Sequence, residues 1–168
     1  MRLYHFTSLG HLPVILATGG LWRGEVPVGK TGASLRGTWF TTDPDAVGHG
    51  LDGSSADKRE VRIVVEIDEG DPGLEHWLTF TRGKLSRDNI RRLVHTGGGQ
   101  EKANSWWIYP DQIPPADFVA IEFRQDDGTY AVATPEQIAA AEAHEGLQEA
   151  VEGDFEEMRA KGEARRAA

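Results

Sequence analysis

The first 22 residues carry an ordered pattern of hydrophobic and polar positions. Residues 2–6 alternate as a short strand, and this strand contains a histidine flanked by aromatic residues. Four aliphatic residues between positions 9 and 16 then recur at helical spacing. Gly19 and Gly20 would end this helix as left-handed caps. The pattern predicts a strand, a helix, and an extended chain that resumes at residues 21–22.

The rest of the chain alternates between strand and helix patterns. Runs of β-branched and aromatic residues predict strands, and apolar repeats behind Ser, Thr or Asp caps predict helices. The predicted strands are residues 38–42, 59–67, 104–110, 118–124 and 129–133, and the predicted helices are 45–51, 74–81, 86–95 and one that starts at Thr134. The 59–67 run is apolar for most of its length, so we expect it near the centre of the sheet. Asp126-Asp127-Gly128 predicts a hairpin between the last two strands.

Composition limits the classes of protein. The 168 residues suggest one domain that is large enough to bury a core. The absence of Cys excludes a disulfide scaffold and a cysteine nucleophile, and it favours a cytoplasmic compartment. No apolar run reaches the length of a membrane helix, so no membrane contact is expected. A net charge of −9 excludes a globally basic surface, although basic residues gather between Arg82 and Arg92.

The end of the first strand carries the candidate chemistry. A strand that brings His5 and Thr7 to the start of a helix builds a polar pocket, because the first amides of a helix have no internal partners. Such a pocket suits a ribose or a phosphate. A histidine bonded to the backbone and a Thr-Ser cap would give the same residues a purely structural role.

The stretch Tyr4-His5-Phe6-Thr7, followed by an apolar helix and Gly19-Gly20-Leu21, resembles the opening of ADP-ribosyltransferase-fold enzymes. It is similar to the DarT-type DNA ADP-ribosyltransferases and to the RNA 2′-phosphotransferases. The resemblance implies an α+β fold: a split pair of small, mainly antiparallel sheets with surrounding helices and a C-terminal helix. It further implies that residues 1–134 form the transferase-like domain and residues 135–168 a helical tail.

The resemblance also implies NAD as the cofactor and assigns roles to residues. His5 would hold a ribose hydroxyl, Trp39 or Phe40 would stack on nicotinamide, and Arg36 would reach the pyrophosphate or the target. The full set of cofactor-binding candidates is His5, Phe6, Thr7, Gly20, Trp39, Phe40 and Thr41. No metal site is expected.

The catalytic carboxylate departs from the family pattern. In the transferases it stands at the start of a late strand, where this chain has Ser105, Trp106 or Trp107. Glu101, in the glycine-rich loop just upstream, is the nearest acidic substitute. The candidate catalytic residues are therefore Glu101, Arg36 and His5.

These assignments favour NAD-dependent ADP-ribosyl transfer to a DNA or RNA acceptor, at a base or a phosphate, with a protein side chain as another acceptor. Two alternatives stay open. One is an RNA 2′-phosphotransferase in which Arg36 and Arg62 act on a phosphate without a carboxylate. The other is a non-catalytic module of a phage or toxin system that binds a nucleotide or a protein. The C-terminal helix is a candidate contact for a protein partner or for self-association.

Overall fold

A computed structural model describes residues 1–21, 24–28, 33–51 and 56–143 of the chain. The extended chain expected at Trp22 and the end of the C-terminal tail lie outside the described residues. None of the helices within the described ranges is long and apolar enough to cross a membrane.

Antiparallel strands form the frame of the molecule. The strands of the described ranges are β1 (Arg2–Thr7), β2 (Gly24–Val28), β3 (Ala33–Thr41), β4 (Val61–Glu66), β5 (Glu75–His76), β6 (Trp106–Tyr109), β7 (Phe118–Arg124) and β8 (Tyr130–Val132). Seven of them follow the order β5-β6-β3-β1-β4-β7-β8, and β2 pairs with β3 beside this path. The expected mixture of helices with a mainly antiparallel sheet is confirmed, and β4 lies inside the sheet as its apolar sequence indicated.

In the described ranges, five short helices connect the strands and cover them. They are α1 (Leu12–Ala17), α2 (Trp77–Thr81), α3 (Arg87–Thr96), α4 (Gln100–Ala103) and α5 (Pro135–Glu142), and a 3-10 turn covers Pro115–Asp117. Two apolar clusters hold these layers together. One joins α1 to β1, β3 and β4 through residues such as Leu3, Leu12 and Ile63. The other gathers Trp77, Phe80, Ala103, Trp106 and Ile108.

The contact between β1 and β3 is the feature that positions the site. β1 pairs with β4 at six successive positions, from Arg2↔Glu66 to Thr7↔Val61. With β3 it pairs at one position, Tyr4↔Thr41. Beyond that pair the described residues of the two strands share no further register position. In a continuous ladder, the backbone carbonyls of β3 would pair with backbone amides of β1. Because the ladder is interrupted here, a β1 side chain can hydrogen-bond to a β3 carbonyl instead.

Three local predictions are wrong. The helix expected at residues 74–81 begins only at Trp77, because Glu75–His76 form the strand β5 against β6. Residues 45–51 form turns instead of a helix, because the Asp43 and Asp45 carboxylates accept hydrogen bonds from the amides of Asp45 and Val47, each at 2.9 Å. Such side-chain bonds offer the backbone an alternative to helical pairing. The loop expected around Glu101 contains the helix α4, which follows Gly99.

The better local predictions rest on caps and turns. Ser86 accepts a hydrogen bond from the Asn89 amide and starts α3. Thr134 and Gln137 form a reciprocal capping box at the start of α5. The β7–β8 hairpin turns at Gly128, which has a φ of 84°.

Candidate functional site

A cavity of about 550 Å³ opens beside the junction of β1 and β3. Its walls come from these two strands, the 49–51 segment, Lys58, the end of α3 and the start of β6. Five of the described residues that line it are aromatic: Tyr4, Phe6, Trp39, Phe40 and Trp106. Its size and its largely aromatic lining are typical of sites for small molecules.

A smaller cavity of about 290 Å³ has the opposite character. Its lining includes four carboxylates, those of Glu66, Asp68, Asp71 and Asp117. Carboxylates at this density would repel a phosphate-bearing ligand. The larger cavity, with no acidic residue among the described residues that line it, is therefore the better candidate for an anionic nucleotide.

His5 is fixed at the point where β1 and β3 separate. Its Nδ1 lies 2.9 Å from the Trp39 carbonyl oxygen, and a carbonyl can only accept. The proton therefore resides on Nδ1, and Nε2 carries a lone pair. His5 lines the cavity. A hydroxyl group of a ligand that reached Nε2 could donate a hydrogen bond to it.

The charge state of His5 follows from its surroundings. Burial lowers its pKa from 6.5 to about 4, and the nearby positive charges of Lys58 and His11 act in the same direction. The hydrogen bond to Trp39 opposes this shift and does not overcome it. His5 is therefore neutral near pH 7 and serves as a hydrogen-bond acceptor.

The lowered pKa of His5 predicts a pH-dependent stability. Between pH 6.5 and about 4, unfolded His5 binds a proton that the folded state excludes, so stability falls as the pH falls through this window. Since one pKa unit corresponds to about 1.4 kcal/mol, the loss is at most about 3 kcal/mol. Urea unfolding of the native chain and of His5→Asn at pH 7 and pH 4 measures this term. His5→Asn keeps a donor for the Trp39 carbonyl, and equal pH dependence in the two proteins would contradict the burial of His5.

Trp39 and Phe40 both line the cavity but differ in burial. Phe40 is 3% exposed and belongs to the apolar core. Its ring lies edge-on to His5 at 5.9 Å between centroids. Trp39 is partly exposed and lies edge-on to Trp106 at 6.1 Å. Trp39 is therefore the better placed of the two to stack on a ligand ring.

His49 holds the opposite part of the cavity wall in place, and the sequence analysis missed this role. Its Nδ1 accepts a 3.0 Å hydrogen bond from the Trp106 indole, and its ring stacks on Phe6 at 6.1 Å. Its Nε2 lies 3.5 Å from a carboxylate oxygen of Asp43. Asp43 in turn accepts a 2.6 Å hydrogen bond from Lys102 on α4.

The charges around His49 favour its neutral form. Burial lowers the pKa of His49, and the Lys102 charge adds to this, while Asp43 opposes it. Burial would raise the pKa of Asp43, but the hydrogen bonds from Lys102 and from the Asp45 amide hold it below its usual range. The network thus holds Phe6 and Trp106, which line the cavity, in place while the His49 imidazole stays uncharged. Only the fold brings these residues together, and no spacing in the sequence signals them.

The structure gathers five of the residues assigned to the site from sequence. His5, Phe6, Trp39, Phe40 and Thr41 line the cavity. The hydroxyl of Thr41 is engaged, since it contacts Ser105 Oγ at 2.7 Å and accepts a hydrogen bond from the Asp43 amide.

Four other assigned residues do not line the cavity: Thr7, Gly20, Arg36 and Glu101. Thr7 is buried at the end of β1. Gly20 serves packing, because a Cβ there would lie 2.1 Å from the Ile113 carbonyl oxygen. Arg36 is exposed on β3, and Glu101 is exposed in the first turn of α4.

Arg62, the other arginine of the phosphotransferase alternative, has a structural environment. Its guanidinium donates to Glu122 and to the Pro44 carbonyl, both at 2.6 Å. It also lies over the rings of Tyr4 and Tyr130. These contacts leave Arg62 outside the cavity lining.

Comparisons of the chain with protein-family models, with curated proteins and with solved structures found no match. The class of protein therefore has to be inferred from the cavity and its chemistry. That chemistry combines a neutral histidine acceptor, aromatic walls and a single lysine among the described residues that line the cavity.

Proposed function

We propose that this chain binds NAD in the cavity beside β1 and β3 and transfers ADP-ribose from it, as an ADP-ribosyltransferase-fold enzyme of the DarT-like branch. The observation that carries the proposal is His5. Its ring is neutral, its tautomer is set by the Trp39 carbonyl, and the residue lines a cavity with aromatic walls. A fixed acceptor of this kind suits a ribose hydroxyl, which always has a proton to donate.

The sheet offers independent support. The resembled enzymes have a split pair of sheets, and the single register pair between β1 and β3 is where this sheet would divide. Next to that pair, the side chain of His5, from the Tyr4-His5-Phe6-Thr7 stretch, forms a hydrogen bond with the β3 backbone. The motif thus coincides with the strand junction that has a single register pair.

The transfer step follows from the chemistry of NAD. The bond between nicotinamide and the ribose C1′ breaks, and its electron pair leaves with nicotinamide, which becomes neutral. The ribose carries the developing positive charge until the acceptor attacks C1′ and gives up its proton. In this scheme Trp39 stacks on nicotinamide and His5 steadies the ribose, so that both groups stay aligned during bond breaking.

The acceptor is a DNA or RNA base or phosphate on the same resemblance. No acidic residue is found among the described residues that line the cavity. Glu101 would have to act from α4, which begins three residues after Gly97, a residue of the cavity wall. Its assignment as the catalytic carboxylate stays a prediction.

The lack of a carboxylate among the described residues that line the cavity favours one second candidate, a non-catalytic nucleotide-binding module. Such a module needs the histidine and the aromatic walls but no base. The phosphotransferase alternative has less support, because neither Arg36 nor Arg62 lines the cavity. The two remaining functions share NAD binding and differ in whether nicotinamide is released.

Binding is tested by thermal unfolding with and without NAD. At a NAD concentration about 100 times Kd, mass action should stabilise the native chain by about 2.7 kcal/mol, or roughly 5–10 °C in Tm. His5→Ala should lose this shift because it removes the ribose acceptor. His95→Ala is the matched control, since His95 is exposed on α3 and does not line the cavity. Equal shifts in the two variants would show that His5 does not touch the cofactor.

Transfer is tested by following nicotinamide release and the mass of DNA and RNA oligonucleotides incubated with NAD. A mass increase of one ADP-ribose unit supports the enzyme, and NAD binding without release supports the non-catalytic module. Glu101→Gln should keep NAD binding and lose transfer by at least about 10²-fold if Glu101 is the base. Full transfer activity in Glu101→Gln would remove Glu101 from the mechanism.

A further inference from the structure

Four consecutive charged residues, Asp57 to Glu60, lead into β4, and three of them have clear partners. The Asp57 carboxylate contacts Arg59 at 2.8 Å and Arg124 at 3.5 Å. Glu60 accepts a 2.9 Å hydrogen bond from the Leu9 amide. The Arg59 carbonyl accepts a 2.6 Å hydrogen bond from the Tyr130 hydroxyl. These bonds fix the backbone on both sides of the remaining residue, Lys58.

Lys58 differs from its neighbours. It is half-buried and lines the large cavity. No ion pair or hydrogen bond among the described residues involves its ammonium group, whereas Lys102, the lysine of α4, contacts Asp43 and Asp45. An ammonium group without a counter-ion is free to form a charge-assisted hydrogen bond with an anion. An anionic ligand in the cavity would supply the missing counter-charge.

The electrostatics of the cavity agree with this interpretation. None of the described residues that line it is acidic, and Lys58 is the only Lys or Arg among them. The Lys58 charge is also felt by His5, since it contributes to the lowered pKa of that histidine. The Lys58 cation and the neutral His5 acceptor therefore line the same cavity.

We propose that Lys58 forms an anion subsite of this cavity and binds a phosphate group, the pyrophosphate of the nucleotide if NAD is the ligand. The identity of the nucleotide rests on the proposed function, whereas the phosphate chemistry rests on Lys58 alone. His5 at the ribose and Lys58 at the phosphates would hold NAD at two points. Trp39 would then be left for the nicotinamide ring.

The subsite is tested by calorimetric titration with inorganic pyrophosphate and with NAD, and with nicotinamide riboside as a probe without phosphate. Lys58→Gln removes the charge and should raise the Kd for pyrophosphate and for NAD by roughly 10-fold or more, the usual effect of losing a charge-assisted hydrogen bond. Lys58→Arg should retain most of the affinity. Nicotinamide riboside should bind equally well to the native chain and to Lys58→Gln.

Lys84→Gln is the matched control, because Lys84 is an exposed lysine outside the cavity. Lys58→Gln should not lower the unfolding midpoint, since none of the described residues pairs with the Lys58 ammonium. The affinity of the native chain for pyrophosphate should fall as salt is added, and that of Lys58→Gln should change less.

The outcomes separate this inference from the proposed function. If pyrophosphate binding depends on Lys58 but NAD does not bind, the anion subsite is supported and the proposed transferase function is contradicted. If NAD binding depends on His5 but is equal in Lys58→Gln and Lys84→Gln, the cofactor site is supported and the anion subsite is contradicted. Failure of the native chain to bind pyrophosphate would also overturn it.

Discussion

Replacing Arg62 with alanine is expected to lower the free energy of unfolding by roughly 3–5 kcal/mol. Arg62 donates to Glu122 at 2.6 Å, and the side chains of the two residues are only 14% and 11% exposed. Its guanidinium lies 4.9 Å from the ring centre of Tyr4 and 4.3 Å from that of Tyr130. The substitution would leave the Glu122 carboxylate buried without its counter-charge, and it would remove the stack between the two tyrosines.

Urea unfolding at neutral pH measures this loss, and two variants control it. The double variant Arg62→Met, Glu122→Leu removes both charges together and should recover most of the lost stability. Arg91→Ala breaks a contact to Asp88 in which both side chains are at least 80% exposed. Its effect should stay within about 0.5 kcal/mol. An Arg62→Ala effect as small as that of Arg91→Ala would contradict the interpretation of Arg62 as a buried structural charge.

Gly98→Ala is expected to lower the free energy of unfolding by about 2–5 kcal/mol, the sum of backbone strain and overpacking. Gly98 has a φ of +91°, and a Cβ there would lie 1.6 Å from the Gly48 carbonyl oxygen. This close approach joins the turn after α3 to the 43–51 segment. Gly97 and Gly50 on these two segments line the cavity, so the substitution should also weaken ligand binding.

Gly83→Ala separates the two costs. Gly83 has a φ of +74°, but a Cβ there would meet nothing within 4 Å. Gly83→Ala should therefore lower the free energy of unfolding only by the left-handed backbone strain, about 1–2 kcal/mol. Equal unfolding midpoints for the two variants would show that the backbone at Gly98 and Gly48 accommodates the added Cβ with no loss of stability.

Much of the local structure could be predicted from the sequence, because it depends on neighbours along the chain. The strand alternation of residues 2–6, the serine before α3 and the glycine of the β7–β8 turn each act over a few residues. The failures are local as well. The turns at Asp43 and Asp45 replaced an expected helix, since both carboxylates bond the backbone two residues further on.

The candidate site could be predicted only in part. The sequence placed His5 on a strand and Trp39 on another, and both line the cavity. It could not show that Glu101 would be exposed on a helix, or that Gly20 would serve packing against Ile113. These outcomes depend on which distant segment lies beside each residue.

The sequence by itself determined most of the strand and helix segments and the histidine-bearing stretch, since periodicity and capping are short-range properties. Only the tertiary structure decided that β1 meets β3 at a single position, which lets the His5 side chain bond the Trp39 carbonyl. It likewise decided that Lys58 would line the cavity with no ion pair to a described residue, whereas Arg62 pairs with Glu122. The physical reason is that burial and charge pairing depend on residues far apart in the chain, as with Arg62 and Glu122, which are 60 positions apart.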